Sequence, residues 1–151
     1  MPKRRRPAHP SPIDRHNCPV ILMVTVVTRN RSCVLANPQA AAALTSAWSE
    51  SDRWVVGSYL IMPDHLHLFC APGTWARDTV TSWVAYWKRQ VAHARPELKS
   101  AFLYGCWDTQ MRNQDHYVRK LDYVALNPVR RGLVENAEDW PYRGHLNELA
   151  W

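Results

Sequence analysis

The stretch Met62-Pro63-Asp64-His65-Leu66-His67-Leu68-Phe69 decides the reading of this sequence. Its Pro63-Asp64 pair is turn chemistry, and the residues after it alternate as those of a β-strand do. Successive strand side chains point to opposite faces, so His65 and His67 share one face while Leu66 and Leu68 take the other. Two imidazoles on one side of a sheet, backed by leucines, make half of a divalent-metal site. The run before the turn, Trp54 to Met62 (WVVGSYLIM), reads as a second strand and makes the pair a hairpin.

Working outward, residues 20–28 (VILMVTVVT wherever β-branching dominates) have the pattern of a central strand buried on both faces. Asn37-Pro38 supplies a helix N-cap followed by proline at the first helical position. The helix it opens runs over 40–50, with Leu44 and Trp48 inward. On the other side of the hairpin, Pro72-Gly73-Thr74 breaks the strand begun at His65. Residues 78–94 then carry Val80, Trp83, Val84, Trp87 and Val91 at helical spacing. A short aromatic segment, 102–107, is compatible with a fourth strand, and 114–127 is a third helix with Tyr117, Leu121, Val124 and Leu126 as its apolar side. The order β-α-β-β-α-β plus a helix predicts an α+β, ferredoxin-like fold with a central antiparallel sheet.

The 151 residues fit one domain, expected over 20–151, preceded by a basic, proline-rich arm over 1–19 that lacks periodicity. A net charge of +6 points to a polyanionic partner, nucleic acid before a membrane surface. No apolar run approaches the roughly 20 residues of a membrane span. The basic N-terminus lacks the hydrophobic core of a signal sequence. The four cysteines, Cys18, Cys33, Cys70 and Cys106, are scattered without a C-x-x-C pair, which suits a reducing cytoplasm. Eight tryptophans are many for this length, and some can stack unpaired bases.

A third ligand is needed, and Leu121-Asp122-Tyr123-Val124-Ala125-Leu126-Asn127-Pro128 offers one. Tyr123 and Asn127 are four apart and share a helix face, and Pro128 is expected to end the helix at or just after Asn127. An Asn127 amide oxygen with the His65 and His67 nitrogens would give a mixed site suited to Mg²⁺ or Mn²⁺. Tyr123 beside it could attack phosphorus as a phenolate. Each piece also fits a plainer role: a histidine pair satisfied in a core, a packing tyrosine, an Asn-Pro helix stop.

Pro63-Asp64-His65-Leu66-His67, Asp122-Tyr123 with Asn127-Pro128-Val129, and Gly132-Leu133-Val134 together resemble the REP-associated tyrosine transposases. These are single-tyrosine members of the HUH endonuclease superfamily. The likeness extends to Lys88-Arg89-Gln90 with His93-Ala94, to Trp107 with Arg112-Asn113, and to Asp139-Trp140-Pro141. The resemblance implies His65, His67 and Asn127 as metal ligands and Tyr123, on the added C-terminal helix, as the nucleophile. The implied activity is cleavage and rejoining of single-stranded DNA at palindromic repeat hairpins through a 5′-phosphotyrosine link.

Candidate DNA contacts are Arg4, Arg5 and Arg6 on the arm, Lys88 and Arg89, Arg112, and Arg130 with Arg131. Trp75, Trp83 and Trp107 are candidate stacking platforms, with Trp107 foremost because Trp83 lies on an apolar helix stripe. The expected setting is cytoplasmic and nucleoid-associated, as monomer or homodimer. Two rival readings share these residues: a hairpin-binding protein without turnover, and a metal hydrolase that uses an activated water.

Overall fold

The computed structural model describes residues 20–73 and 78–151. The arm with Arg4, Arg5 and Arg6, and also Trp75, lie outside the described residues. The chain forms β1 (Leu22–Val27), α1 (Pro38–Ser49), β2 (Trp54–Ile61), β3 (His65–Pro72), α2 (Val80–Ala94), β4 (Trp107–Gln110), α3 (Gln114–Ala125), α4 (Asn127–Arg130) and β5 (Arg143–His145). The strands make one antiparallel sheet in the order β4-β1-β3-β2-β5. Its first four members follow the ferredoxin-like order, and β5 adds an edge that the sequence pattern did not announce.

Helix starts follow local chemistry. The side chains of Asn37, Thr79 and Asn113 accept from Ala40, Ser82 and His116 backbone N–H groups, capping α1, α2 and α3. The apolar stripe of α2 is fully realised, since Val80, Trp83, Val84, Trp87 and Val91 are all buried. With Leu44 and Trp48 of α1 they pack on the sheet face that carries Leu22, Val24, Val26, Leu66 and Leu68. The opposite face carries Leu60 and Phe69 and meets Tyr117 and Val124 of α3. A bulge between Val56 and Tyr59 shifts the alternation of β2, so that Leu60 stands opposite His67 on the α3 side.

Several expectations are corrected. β1 is buried along its even-numbered side chains and half-buried along the odd ones, so it is not covered equally on both faces. The fourth strand is 107–110, not 102–107. Phe102 makes only an isolated bridge to Thr28, after which the chain turns out of the sheet at Gly105 (φ 82°). Leu126 is exposed, not part of the apolar side of α3. Pro128 does not end the helical path: α3 stops at Ala125, and Pro128 sits in the first turn of α4, where its missing N–H costs no helical bond.

Candidate metal and nucleophile site

β3 presents His65 and His67 on the α3 side of the sheet, and β1 runs beside it with Thr25 opposite His67. The Met62–His65 turn is tied to the end of β1, because the Asp64 carbonyl accepts from both the Thr28 N–H and its hydroxyl at 3.0 Å. His65 Nδ1 lies 2.8 Å from Asp64 Oδ1, and His67 Nδ1 lies 2.9 Å from Thr25 Oγ1. A carboxylate only accepts, so His65 carries its proton on Nδ1. From α4, the Asn127 amide stands 3.1 Å from His65 Nε2 and 3.5 Å from His67 Nε2. Protonation of both rings at Nδ1 satisfies all four contacts and aims both Nε2 lone pairs at one point.

That donor set fits a divalent cation. Each imidazole is oriented by a hydrogen bond through its far nitrogen, as ligand histidines are. Turning the Asn127 amide about its own axis exchanges nitrogen for oxygen with little change of shape. Two nitrogens and one amide oxygen suit Mg²⁺ or Mn²⁺ better than zinc. Among the described residues, no cluster of three His, Cys, Asp or Glu side chains competes with it.

Both rings are held neutral. Burial pulls the His67 pKa down to about 4, reinforced by His65, Arg130 and Lys120. Burial also lowers His65, against the opposing pull of Asp64. For Asp64 burial alone would raise the carboxyl, but the His65 hydrogen bond, Arg31 and Arg131 together hold it below its usual range. Arg31 Nε lies 2.9 Å and Arg131 Nη2 3.4 Å from Asp64 Oδ2. Arg31 reaches it from a left-handed backbone (φ 53°), a conformation that costs a non-glycine residue about 1 kcal/mol.

Tyr123 projects from the last turns of α3 and is 59% exposed. The Arg130 guanidinium lies 4.0 Å from its ring centroid and the Lys120 ammonium 5.4 Å. The same two cations act on His67, so the tyrosine and the histidine pair border one positively charged corner.

The fold finds counterparts among known proteins. No family model matches the sequence. Over 95 residues the chain is 29% identical to a REP-associated tyrosine transposase of Escherichia coli, covering 63% of this chain and 56% of that protein. Over 98 residues it is 35% identical to a protein assigned to the same group in Haemophilus influenzae, covering 54% and 53%. It superposes on a REP-associated tyrosine transposase bound to a REP hairpin with a TM-score of 0.71 and 28% identity, over 88% of this chain and 81% of that one. The chain is similar in sequence and in fold to REP-associated tyrosine transposases. It spans about half the length of the curated relatives it matches. A Deinococcus radiodurans protein described as a transposase shares the fold at a TM-score of 0.50 and 16% identity, over 80% and 96% of the two chains.

Against the REP-associated tyrosine transposase reading, the expected DNA contacts divide. Arg130 sits at the corner, over Tyr123. Arg131 is occupied with Asp64. Trp107, 43% exposed, is opposite Thr25 in the register and so lies on the same transverse row as His67, two strands away. Arg112 precedes the cap of α3, and its backbone N–H donates to His116. Lys88 and Arg89 belong to α2, on the other side of the sheet, where the Lys88 ammonium donates to the Leu103 and Gly105 carbonyls. Trp83 is core. Sequence reasoning missed Thr25, Arg31, Asp64 and Lys120. Only Asp64 left a signal, as the acidic neighbour of the first histidine.

Proposed function

We propose that this chain is a metal-dependent, transposase-like endonuclease and strand transferase that cleaves and rejoins single-stranded DNA at palindromic repeat hairpins. The observation that carries the reading is the convergence of His65 Nε2 and His67 Nε2 on the Asn127 amide, one helical turn from Tyr123. Kinship with a transposase bound to a REP hairpin supports the choice of hairpin DNA.

His65, His67 and Asn127 would hold Mg²⁺ or Mn²⁺, which when bound supplies positive charge to a scissile phosphate oxygen. Asp64 and Thr25 keep the two rings in the ligand tautomer. Arg130 and Lys120 draw the phosphate to the face of Tyr123. The Tyr123 oxygen attacks phosphorus and gives up its proton, the bond to the 3′-oxygen breaks, and that oxygen takes up a proton as it leaves. The 5′-phosphate stays on Tyr123 and the other fragment ends in a free 3′-OH. Attack by a 3′-OH reverses the step, and because the phosphodiester is conserved no ATP is required.

The test is a 3′-labelled hairpin strand incubated with Mn²⁺ and run on a denaturing gel. The expected result is a protein-linked label that Tyr123→Phe abolishes while hairpin binding persists. Cleavage retained in Tyr123→Phe would favour activated water. Binding by the wild type without any adduct would favour a non-catalytic hairpin-binding protein.

A further inference from the structure

On the helix side of the sheet, away from His65 and His67, α2 and the Phe102–Gly105 loop enclose a cleft of about 920 Å³. Among the described residues its charged lining has one sign: Arg29, Lys88, Arg89 and Lys99, with His93 among them and no carboxylate. Cations gathered without counter-charges in a concave wall focus a field that selects an anion.

Tyr104 stands at its rim. The Lys88 ammonium donates to the Leu103 carbonyl at 2.9 Å and to the Gly105 carbonyl at 2.6 Å, the residues on either side of Tyr104. The backbone there is stapled, yet the Tyr104 side chain is 94% exposed. A solvent-exposed ring on a fixed loop gains nothing for the core. Beside a row of cations it offers what single-stranded nucleic acid uses, a π-face for a base and positive charge for the backbone.

The cleft also adjoins a second concavity that reaches Thr25. This smaller concavity, lined by Thr25, Arg31 and Trp107, shares Arg29 and Leu103 with it. Thr25 is the residue that holds His67. The two concavities thus meet at Arg29 and Leu103, the smaller one reaching Thr25 and Trp107 and the larger one Tyr104.

We propose that this cleft is a second DNA subsite, holding an unpaired nucleotide beyond the scissile step with its base on Tyr104 and its phosphate among Arg29, Arg89 and Lys99. The inference rests on the single-stranded DNA reading of the Tyr123 site. The test is fluorescence anisotropy with a labelled hairpin carrying an unpaired oligothymidylate tail and the same hairpin blunt, for wild type, Tyr104→Ala, Tyr104→Phe and Arg89→Ala. Tyr104→Ala should weaken the tailed hairpin about tenfold and leave the blunt one unchanged, with Tyr104→Phe restoring affinity. Arg89→Ala should weaken the tailed hairpin and flatten its salt dependence. Wild-type tail affinity in Tyr104→Ala, or equal loss on both DNAs, overturns the subsite. Adduct formation at Tyr123, measured in parallel, separates the two ideas: an intact adduct with no tail effect removes the cleft alone, and a wild type that binds neither DNA removes both.

Discussion

Asp64 and His65 are neighbours in the chain whose side chains are joined, His65 Nδ1 donating to Asp64 Oδ1 at 2.8 Å. The second carboxylate oxygen takes Arg31 and Arg131. Asp64 thus fixes a ring and draws one arginine from each side into the same cluster. Asp64→Asn keeps the shape but not the charge, and leaves two guanidinium groups facing His65 uncompensated. Mn²⁺ affinity by isothermal titration calorimetry should fall about ten- to a hundredfold. Unchanged affinity in a folded variant would remove Asp64 from this role.

Arg130 and Arg131 are adjacent but should separate by experiment. Arg130 lies over Tyr123, so Arg130→Ala should weaken hairpin binding and reduce the slope of log affinity against log salt by about 1. Arg131 is occupied with Asp64, so Arg131→Ala should leave that slope in place and lower Mn²⁺ affinity instead. Identical salt slopes for the two variants would contradict the division.

His67 titrates at about 4 in the fold against an ordinary 6.5. Between those values the unfolded chain binds a proton that the native state refuses. Stability therefore falls as pH drops from 6.5 towards 4, by up to about 3 kcal/mol, and is fully present above that window. Urea unfolding of the metal-free protein across this range should show the decline, and His67→Gln should make it shallower, leaving the part due to His65 and His116, whose pKa values burial also lowers. A wild-type profile level through the window would mean that the ring is not held neutral.

The aromatic centre sets the largest structural cost. Trp87 meets Trp48 edge-on at 5.6 Å and Phe102 at 5.9 Å between centroids, and is almost fully buried. Trp87→Ala should cost about 3–5 kcal/mol in urea or thermal unfolding. Among the described residues its buried Nε1 has no hydrogen-bond partner, so Trp87→Phe should cost distinctly less. Equal losses for the two would mean that a phenyl ring cannot keep the contacts with Trp48 and Phe102.

What the sequence made legible was local. Alternation placed both histidines on one face, Asn37-Pro38 marked its helix, and the five apolar positions of α2 were read residue by residue. The fourth strand escaped because Trp107-Asp108-Thr109-Gln110 is a polar edge, while the apolar segment before it is bent away by Gly105 and held by Lys88. The break at Leu126 escaped because Pro128 signals a stop with equal force whether the chain departs or begins a new turn. Thr25 is 42 residues from His67, and no spacing rule joins them.

Because leucine and histidine alternate along β3, shelter from water enforces the chemistry. Sliding that segment by a single position would turn Leu66 and Leu68, both wholly inaccessible to solvent, towards the charged groups around Asp64 and Asn127 and carry the imidazoles into the core under α1 and α2. Any misalignment that spoiled the ion-binding trio would at once forfeit several kilocalories of stability, so miswired copies would unfold instead of persisting as intact but inert protein.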